Sequence, residues 1–147
     1  MTRARRAPRH ASRQVALQAL YALDVGPATA SAEEVFERVS DNFDLPEGAR
    51  AFAKQLVCGV IEDREAIDER LAHHARNWRL SRMAAVDRNV LRLCAYEILH
   101  TDTPAAVALD QAVELARRFG AEGSPAFVNG ILDALARDFR GADEPPA

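Results

Sequence analysis

The sequence of 147 residues is poor in aromatic residues, contains two cysteines and lacks long apolar runs. Aromatic residues make up 6% of the chain, and alanine and leucine outnumber the β-branched residues that favour strands. No apolar run approaches the ~18 residues that a membrane-spanning helix needs. The sequence therefore predicts a helical protein with no membrane partner, and its 48% apolar content is that of an ordinary globular chain.

The two cysteines, Cys58 and Cys94, are too few and too isolated to form a metal-binding motif. Both lie among apolar residues in segments with helical periodicity. A disulfide between them is an open alternative, but buried reduced thiols fit such neighbours better. Reduced thiols are typical of the cytosol, so the sequence predicts a cytoplasmic protein.

Acidic residues are absent before Asp24, although the whole chain carries a net charge of −3. The same stretch contains His10 and five arginines, which are Arg3, Arg5, Arg6, Arg9 and Arg13. Basic N-terminal arms of this kind bind nucleic acid by neutralising phosphates. A mitochondrial transit peptide and a solvated tail are the alternatives, and the direct continuation into a helix argues against the former. We expect residues 1–8 to be a flexible basic arm.

Apolar residues recur with helical spacing along the rest of the chain, and no stretch alternates as a strand does. Residues 31–34 (SAEE) form a capping box, and prolines mark further helix starts. The pattern predicts an all-α protein of six or seven helices, with a single all-helical domain over residues 9–140 and a disordered tail over residues 141–147. We expect the first helix to begin at Arg9, and the helix after Pro46 to continue or kink as far as Leu71.

Motifs of catalysis are missing from the sequence. It has no glycine-rich phosphate loop, no Gly-x-Ser-x-Gly motif and no paired metal ligands. His73 and His74 are adjacent on a predicted helix, so we expect them to point about 100° apart and not to share a metal. The sequence therefore predicts no enzyme activity, no cofactor and no metal. Trp78 and Leu80 interrupt the helical pattern and are predicted to pack into the core from a connecting segment.

Two arginines and one aromatic residue in the C-terminal half of the chain are candidate binding residues. Arg88 and Arg92 share one face of a predicted helix, either as a solvated face with local ion pairs or as guanidinium groups that meet phosphate. Phe127 follows a predicted helix start at Ser124 and lies off the main apolar stripe of that helix. Packing alone makes Phe127 a residue at the edge of the core.

Five segments, taken together and in order, resemble the NusB transcription antitermination factors. They are Arg13 with residues 16–21 (ALQALY), residues 78–83 (WRLSRM), residues 86–93 (VDRNVLRL) with 96–99 (YEIL), residues 112–116 (AVELA) and residues 127–132 (FVNGIL). Each segment alone is a weak signal, but their order and spacing are typical of the family. The resemblance spans nearly the whole chain, except for the termini and residues 27–45.

The resemblance implies an all-helical fold of two small bundles packed on each other, and a role without catalysis. Proteins of this family pair with NusE, a ribosomal small-subunit protein, on single-stranded boxA RNA of nascent transcripts, notably in leaders of ribosomal RNA operons. This step loads an antitermination complex onto RNA polymerase. The resemblance thus implies boxA RNA, NusE and the RNA polymerase complex as partners.

The resemblance also carries over a set of RNA-binding residues, which are Arg5, Arg9, His10, Arg13, Arg92 and Phe127. Phe127 would stack on an unpaired base. Gly130, which weakens its helix by roughly 1 kcal/mol relative to alanine, would let another helix approach closely. Gly123 stands where family members often have aspartate, and the missing negative charge predicts stronger RNA binding in the absence of NusE.

Two other functions are open alternatives. Some ribosomal RNA cytosine methyltransferases carry a NusB-like N-terminal domain, but they need a further Rossmann-like domain that binds S-adenosylmethionine. We expect 147 residues to be too few for both domains. A helical protein–protein scaffold with an incidental basic arm is the third possibility, and binding to boxA RNA would distinguish it from an antitermination factor.

Overall fold

The computed structural model describes the backbone of residues 2–143 and the side chains of residues 9–139. These residues form seven α-helices and one short 3-10 helix and contain no strand, which confirms the predicted all-α fold. The helices are α1 (Thr2–Val25), α2 (Ala32–Ser40), α3 (Glu47–Glu62), α4 (Arg64–His74), the 3-10 helix (Leu80–Arg82), α5 (Ala85–His100), α6 (Ala105–Phe119) and α7 (Ser124–Asp143). No helix in this described part is long and apolar enough to cross a membrane.

The chain divides into two compact units, Met1–Asp63 and Arg64–Ala147. The first unit contains α1 to α3, and the second contains the 3-10 helix and α4 to α7. The helix that was expected to continue or kink toward Leu71 is instead two separate helices. The separation occurs because Asp63, with φ −107° and ψ 19°, leaves helical geometry.

The predicted helix starts agree with the structure in three places. The Ser31 hydroxyl caps α2 by accepting a hydrogen bond from a backbone N–H of its first turn at 3.4 Å. Pro46 and Pro104 directly precede the first residues of α3 and α6. In contrast, α1 begins at Thr2, well before the predicted start at Arg9.

In the first unit, α1 packs against both α2 and α3. Small side chains are buried on both α1 and α3, with Ala16 and Ala19 on the former and Ala49 and Ala53 on the latter. The Ser12 hydroxyl donates a hydrogen bond to the Ala49 carbonyl oxygen at 2.7 Å. The backbones of α1 and α3 therefore lie close together, which fixes the orientation of the remaining face of α1.

In the second unit, α5 is the central helix and packs against α4, α6 and α7. Every residue from Asn89 to Ile98 is buried, including polar residues. The Glu97 carboxylate accepts a hydrogen bond from the Thr103 hydroxyl at 3.2 Å. A helix that is surrounded on all sides needs such internal partners for its polar side chains.

A tight turn that depends on Gly120 joins α6 to α7. A Cβ atom at this position would lie 2.7 Å from both the Ala116 carbonyl oxygen and the Ser124 side chain. The Ser124 hydroxyl accepts a hydrogen bond from the Ala121 N–H at 3.0 Å. The sequence predicted Ser124 as the N-cap of the last helix. In the structure it is the first residue of α7, and its hydroxyl secures the turn that precedes the helix.

Candidate nucleic-acid interface

The basic residues near the N-terminus lie on α1 beside an aromatic ring of α3. Arg9 is exposed, and its guanidinium carbon lies 4.6 Å from the centre of the Phe52 ring. The guanidinium carbon of Arg13, which is 4% exposed, lies 5.8 Å from the same centre. These cation–π contacts order both arginines against the folded unit. Sequence patterns alone do not predict that Phe52 contacts these arginines, because the partners come from a different helix.

The other members of the predicted basic arm differ in their surroundings. His10 is half-buried, and the Gln14 side-chain amide donates a hydrogen bond to its Nε2 at 3.2 Å. Arg5 lies in the first turns of α1, and its side chain is outside the described residues. The expected flexibility of residues 1–8 stays a prediction.

Arg92 is held inside the second unit by an ion pair with α4. The residue is 8% exposed, with Nε 2.8 Å from Oδ1 of Asp68 and Nη2 2.9 Å from Oδ2. Nη1 also donates to Oδ1 of Asn89 at 3.3 Å. This bidentate arrangement satisfies the guanidinium within the protein. A direct contact of Arg92 with RNA stays a prediction, whereas its contacts here join α4 to α5.

Arg88 supports the segment between α4 and α5, residues 75–84, here named the connector. Its Nη1 donates hydrogen bonds to the carbonyl oxygens of Leu80 at 2.8 Å and Met83 at 3.3 Å. Of the two alternatives that the sequence left open for Arg88 and Arg92, the solvated helix face is therefore wrong. Both guanidinium groups turn to partners in the protein, because other helices surround α5.

An exposed aromatic residue lies on the connector. Trp78 is 60% exposed, so the prediction that it packs into the core is wrong. Its ring meets Phe127 of α7 edge-on, with 5.3 Å between ring centres and 84° between planes. Phe127 is half-buried, in keeping with its position off the buried stripe of Val128 and Leu132. Periodicity could not predict the direction of Trp78, because the residue lies outside any regular element.

Gly130 lies on an exposed part of α7. A Cβ atom there would meet no described atom within 4 Å. The expected close approach of another helix is therefore not found within residues 9–139. Nearby, Asn129 lines an open cavity of about 490 Å³ together with Asp110, Glu114 and Arg117 of α6. Because carboxylates line this cavity as well as an arginine, its charge does not favour a phosphate.

One group of possible metal ligands occurs among the described side chains. His73, His74 and Asp138 offer ligand atoms that all lie within 4.8 Å of one another, and Nε2 of His74 is 3.4 Å from Oδ2 of Asp138. The two histidine rings meet edge-on with centres 5.0 Å apart, so the expectation that these adjacent residues cannot offer ligand atoms to one ion is wrong. The three groups could hold a divalent cation, although a histidine–carboxylate ion pair accounts for the same contact.

The two cysteines are both free, so the disulfide that the sequence left open is not formed between them. Cys94 is buried, as predicted, whereas Cys58 is half-buried. Partial burial raises the pKa of the Cys58 thiol above its usual value, and the Lys54 ammonium group opposes this shift. The Glu33 carboxylate adds to the increase. Because the thiolate is the reactive form, a smaller fraction of Cys58 is reactive at a given pH than for a thiol of ordinary pKa.

Comparison with known proteins gives a family for the chain. Residues 10–137 match the NusB family. A transcription antitermination protein NusB from Sorangium cellulosum (strain So ce56) is 47% identical over 137 residues, which cover 92% of this chain and 96% of that protein. All the segments that carry the sequence resemblance lie inside the matched range.

Solved structures share the fold of the described residues. NusB from T. maritima aligns with a TM-score of 0.81 at 34% identity, covering 88% of this chain and 91% of that one. A crystal structure of the antitermination factors NusB and NusE in complex with dsRNA contains a chain that aligns with a TM-score of 0.81 at 27% identity. That alignment covers 90% of this chain and 98% of the other. By sequence and by fold, this chain belongs to the NusB family.

Proposed function

We propose that this protein is an RNA-binding transcription antitermination factor that pairs with NusE on boxA RNA of nascent transcripts, notably in leaders of ribosomal RNA operons. It acts in the cytoplasm, catalyses no reaction and helps to load an antitermination complex onto RNA polymerase. Two findings support these partners. The relative from S. cellulosum is named a transcription antitermination protein, and one structural neighbour contains NusE and dsRNA.

The observation that carries the proposal is the basic face of α1. Arg9 is exposed over the Phe52 ring, and Arg13 approaches the same ring one helical turn later. Because Ser12 binds the backbone of α3, the folded unit itself presents this face. In a chain of net charge −3, positive charge concentrated beside an aromatic ring is typical of nucleic-acid binding.

Each predicted RNA-binding residue has a proposed role. Arg5, Arg9 and His10 contact the RNA, the two arginines through its phosphates. Arg13 keeps Phe52 and the basic face in place, since its own side chain is almost fully buried. Phe127 stacks on an unpaired base from its position at the start of α7. Arg92 acts through the α4–α5 ion pair that it forms.

Titration of a labelled boxA RNA by fluorescence anisotropy, with and without NusE, tests the proposal. We expect weak binding by the protein alone and tighter binding with NusE, while a scrambled RNA binds less well. Arg9→Gln should lower the salt slope of binding by about 0.7, the value for one phosphate contact on a single strand. Equal affinity for boxA and scrambled RNA in the presence of NusE would contradict the proposal.

A deletion that tests the basic arm has to spare the buried residues of α1. Removal of residues 1–13 would take away Ser12 and Arg13, which are buried, so a loss of RNA binding could follow from unfolding. Removal of residues 1–8 avoids this problem and should still weaken RNA binding. Loss of helical circular dichroism beyond the deleted residues would show that the arm is structural. Arg137→Gln, an exposed arginine paired with Asp133, is the charge-matched control for Arg9→Gln.

A further inference from the structure

The connector concentrates positive charge that the basic face of α1 does not include. Between Glu69 and Asp87 the sequence has no acidic residue but has four arginines. Three of them, Arg76, Arg79 and Arg82, lie on the connector, and all three are exposed. The local charge of this segment is therefore opposite in sign to the net charge of the chain.

Two exposed arginines elsewhere in the second unit are paired with carboxylates, and two others, Arg70 and Arg118, lie over the rings of Phe139 and Phe119. Arg117 donates to Glu114 at 2.7 Å, and Arg137 lies 3.1 Å from Asp133. Within residues 9–139, no carboxylate pairs with an arginine of the connector. The described side chains therefore leave these guanidinium groups without a neutralising carboxylate, so their charge is available to an anion.

Trp78 lies among these arginines in the sequence, between Arg76 and Arg79. It is the most exposed large apolar side chain among the described residues. A ligand that covered the exposed indole ring would remove apolar surface from water, which is favourable for binding. Phe127 contacts the ring edge-on, and together the two residues present aromatic surface from two different elements.

The backbone of the connector is ordered by hydrogen bonds. Arg88 binds two of its carbonyl oxygens, as described above. The Trp78 N–H donates to the Ala75 carbonyl oxygen at 3.0 Å, and the Arg82 N–H donates to that of Arg79 at 3.0 Å. The arginines and the indole are therefore presented by a defined turn followed by a 3-10 helix.

We infer that the connector is a second RNA-binding element of this protein, separate in sequence from the basic face of α1. Trp78 and Phe127 stack on unpaired bases, while Arg76, Arg79 and Arg82 contact the phosphates beside them. The ligand is single-stranded RNA, because stacking needs an unpaired base and arginines around an aromatic ring suit such strands. The inference rests on the proposed RNA-binding function and extends it to a site with its own residues.

A protein is the other class of partner that an exposed tryptophan can serve. A protein interface over the connector would need an acidic surface shaped to meet three neighbouring guanidinium groups. A single RNA strand supplies a phosphate with every nucleotide and a base that can reach the indole. The charge pattern therefore favours RNA.

Intrinsic fluorescence tests the inference directly, since Trp78 is the only tryptophan in the sequence. Titrating the full chain with single-stranded boxA RNA should quench the tryptophan emission, with the same Kd as an anisotropy titration. The same RNA annealed to its complement should quench less, because its bases are already paired and stacked. Bound RNA with unchanged emission would overturn the inference and leave the proposed function standing.

Variants of the connector give a second readout. Trp78→Ala should weaken RNA binding by about 5- to 150-fold, the usual range for the loss of one stacked base. Trp78→Phe keeps a ring and should restore most of the affinity. Arg79→Gln and Arg82→Gln should each lower the salt slope by about 0.7. The control is Arg117→Gln, which removes an ion-paired arginine outside the connector, and thermal melts check that every variant is folded.

Three outcomes would count against the assignment. Unchanged RNA affinity and salt slope in all the connector variants would overturn it. A change of tryptophan emission on addition of NusE alone, with none on addition of RNA, would assign the connector to a protein partner instead. A wild-type chain that binds no RNA, with or without NusE, would overturn the proposed function and this inference together.

Discussion

The Arg92 guanidinium binds both carboxylate oxygens of Asp68, which lies 24 residues earlier in the chain, at 2.8 and 2.9 Å. The pair joins α4 to α5 at a nearly buried position. It therefore helps to fix both ends of the connector, which begins after α4 and ends before α5. The family resemblance predicts that Arg92 binds RNA, whereas in the structure Arg92 joins two helices.

Replacing Arg92 by methionine should destabilise the fold by about 3 kcal/mol, the lower end for removal of one partner from a buried ion pair. The lower end applies because the Asp68 side chain is 29% exposed, so water partly compensates the charge that is left. Urea unfolding measures the change. Arg137→Met, which breaks an exposed pair, is the control and should cost about 0–1 kcal/mol. Equal losses for the two variants would contradict a structural role for Arg92.

Replacing Phe127 by alanine should weaken RNA binding by about 1–3 kcal/mol, the contribution of one stacked base. Phe127 is half-buried, so its removal should destabilise the fold by less than the about 3–5 kcal/mol expected at a fully buried site. Phe36→Ala supplies that comparison, because Phe36 is completely buried. RNA titrations and thermal melts on the same variants separate binding from folding. A drop in melting temperature as large as that of Phe36→Ala would refute the stacking role.

Introducing aspartate at Gly123 should weaken RNA binding by roughly 5-fold, because an added negative charge near the phosphates costs about 1 kcal/mol. A Cβ atom at Gly123 would meet nothing within 4 Å, so the folded state should tolerate the side chain. Gly123→Asn is matched in size but uncharged, and it should leave the affinity nearly unchanged. Equal affinities for the two variants at low salt would show that charge at this position does not act on RNA.

Replacing Gly130 by alanine should stabilise the fold by about 1 kcal/mol, the difference in helix propensity between the two residues. The added methyl group would enter open space on α7. Gly120→Ala is the opposite case, since its methyl group would lie 2.7 Å from the Ala116 carbonyl oxygen. Chemical denaturation of both variants should therefore show a gain at one glycine and a loss at the other. If Gly130→Ala lowers the affinity for NusE, a partner and not the fold requires this glycine.

Alkylation of Cys58 should reach half of its maximal rate at a higher pH than that of an exposed reference thiol. Burial raises its pKa, so less thiolate is present at any given pH below that value. Lys54→Gln should move the midpoint further up, because the ammonium group lowers this pKa, and Glu33→Gln should move it down. Iodoacetamide labelling followed by mass spectrometry measures the rates, with Cys58→Ser as the control. A midpoint below that of the reference would contradict the burial argument.

Local signals in the sequence predicted most of the helices. Ser31, Pro46 and Pro104 mark helix starts through their own backbone or side-chain chemistry, and the structure has helices at each of them. The start of α1 could not be predicted in the same way. Pro8 normally marks the first turn of a helix, whereas α1 runs through it from Thr2.

Contacts between distant residues account for what the sequence did not predict at the candidate interface. The spacing of Arg88 and Arg92 placed both on one helix face, but α5 proved to be surrounded, and their partners lie on other segments. The edge-on contact of Trp78 with Phe127 likewise joins two elements far apart in the chain. One feature of the sequence does indicate a basic connector, namely the absence of acidic residues between Glu69 and Asp87.

Because Arg88 holds two connector carbonyl oxygens in the free protein, the loop loses little conformational entropy when a ligand arrives. Association with such a preorganised surface needs no slow rearrangement, so stopped-flow traces should show one phase whose rate rises linearly with ligand concentration. The encounter is then governed by electrostatic attraction, and the association rate falls as salt is added. Arg88→Met would loosen the loop and convert this simple docking into folding coupled to binding, with a larger entropic penalty.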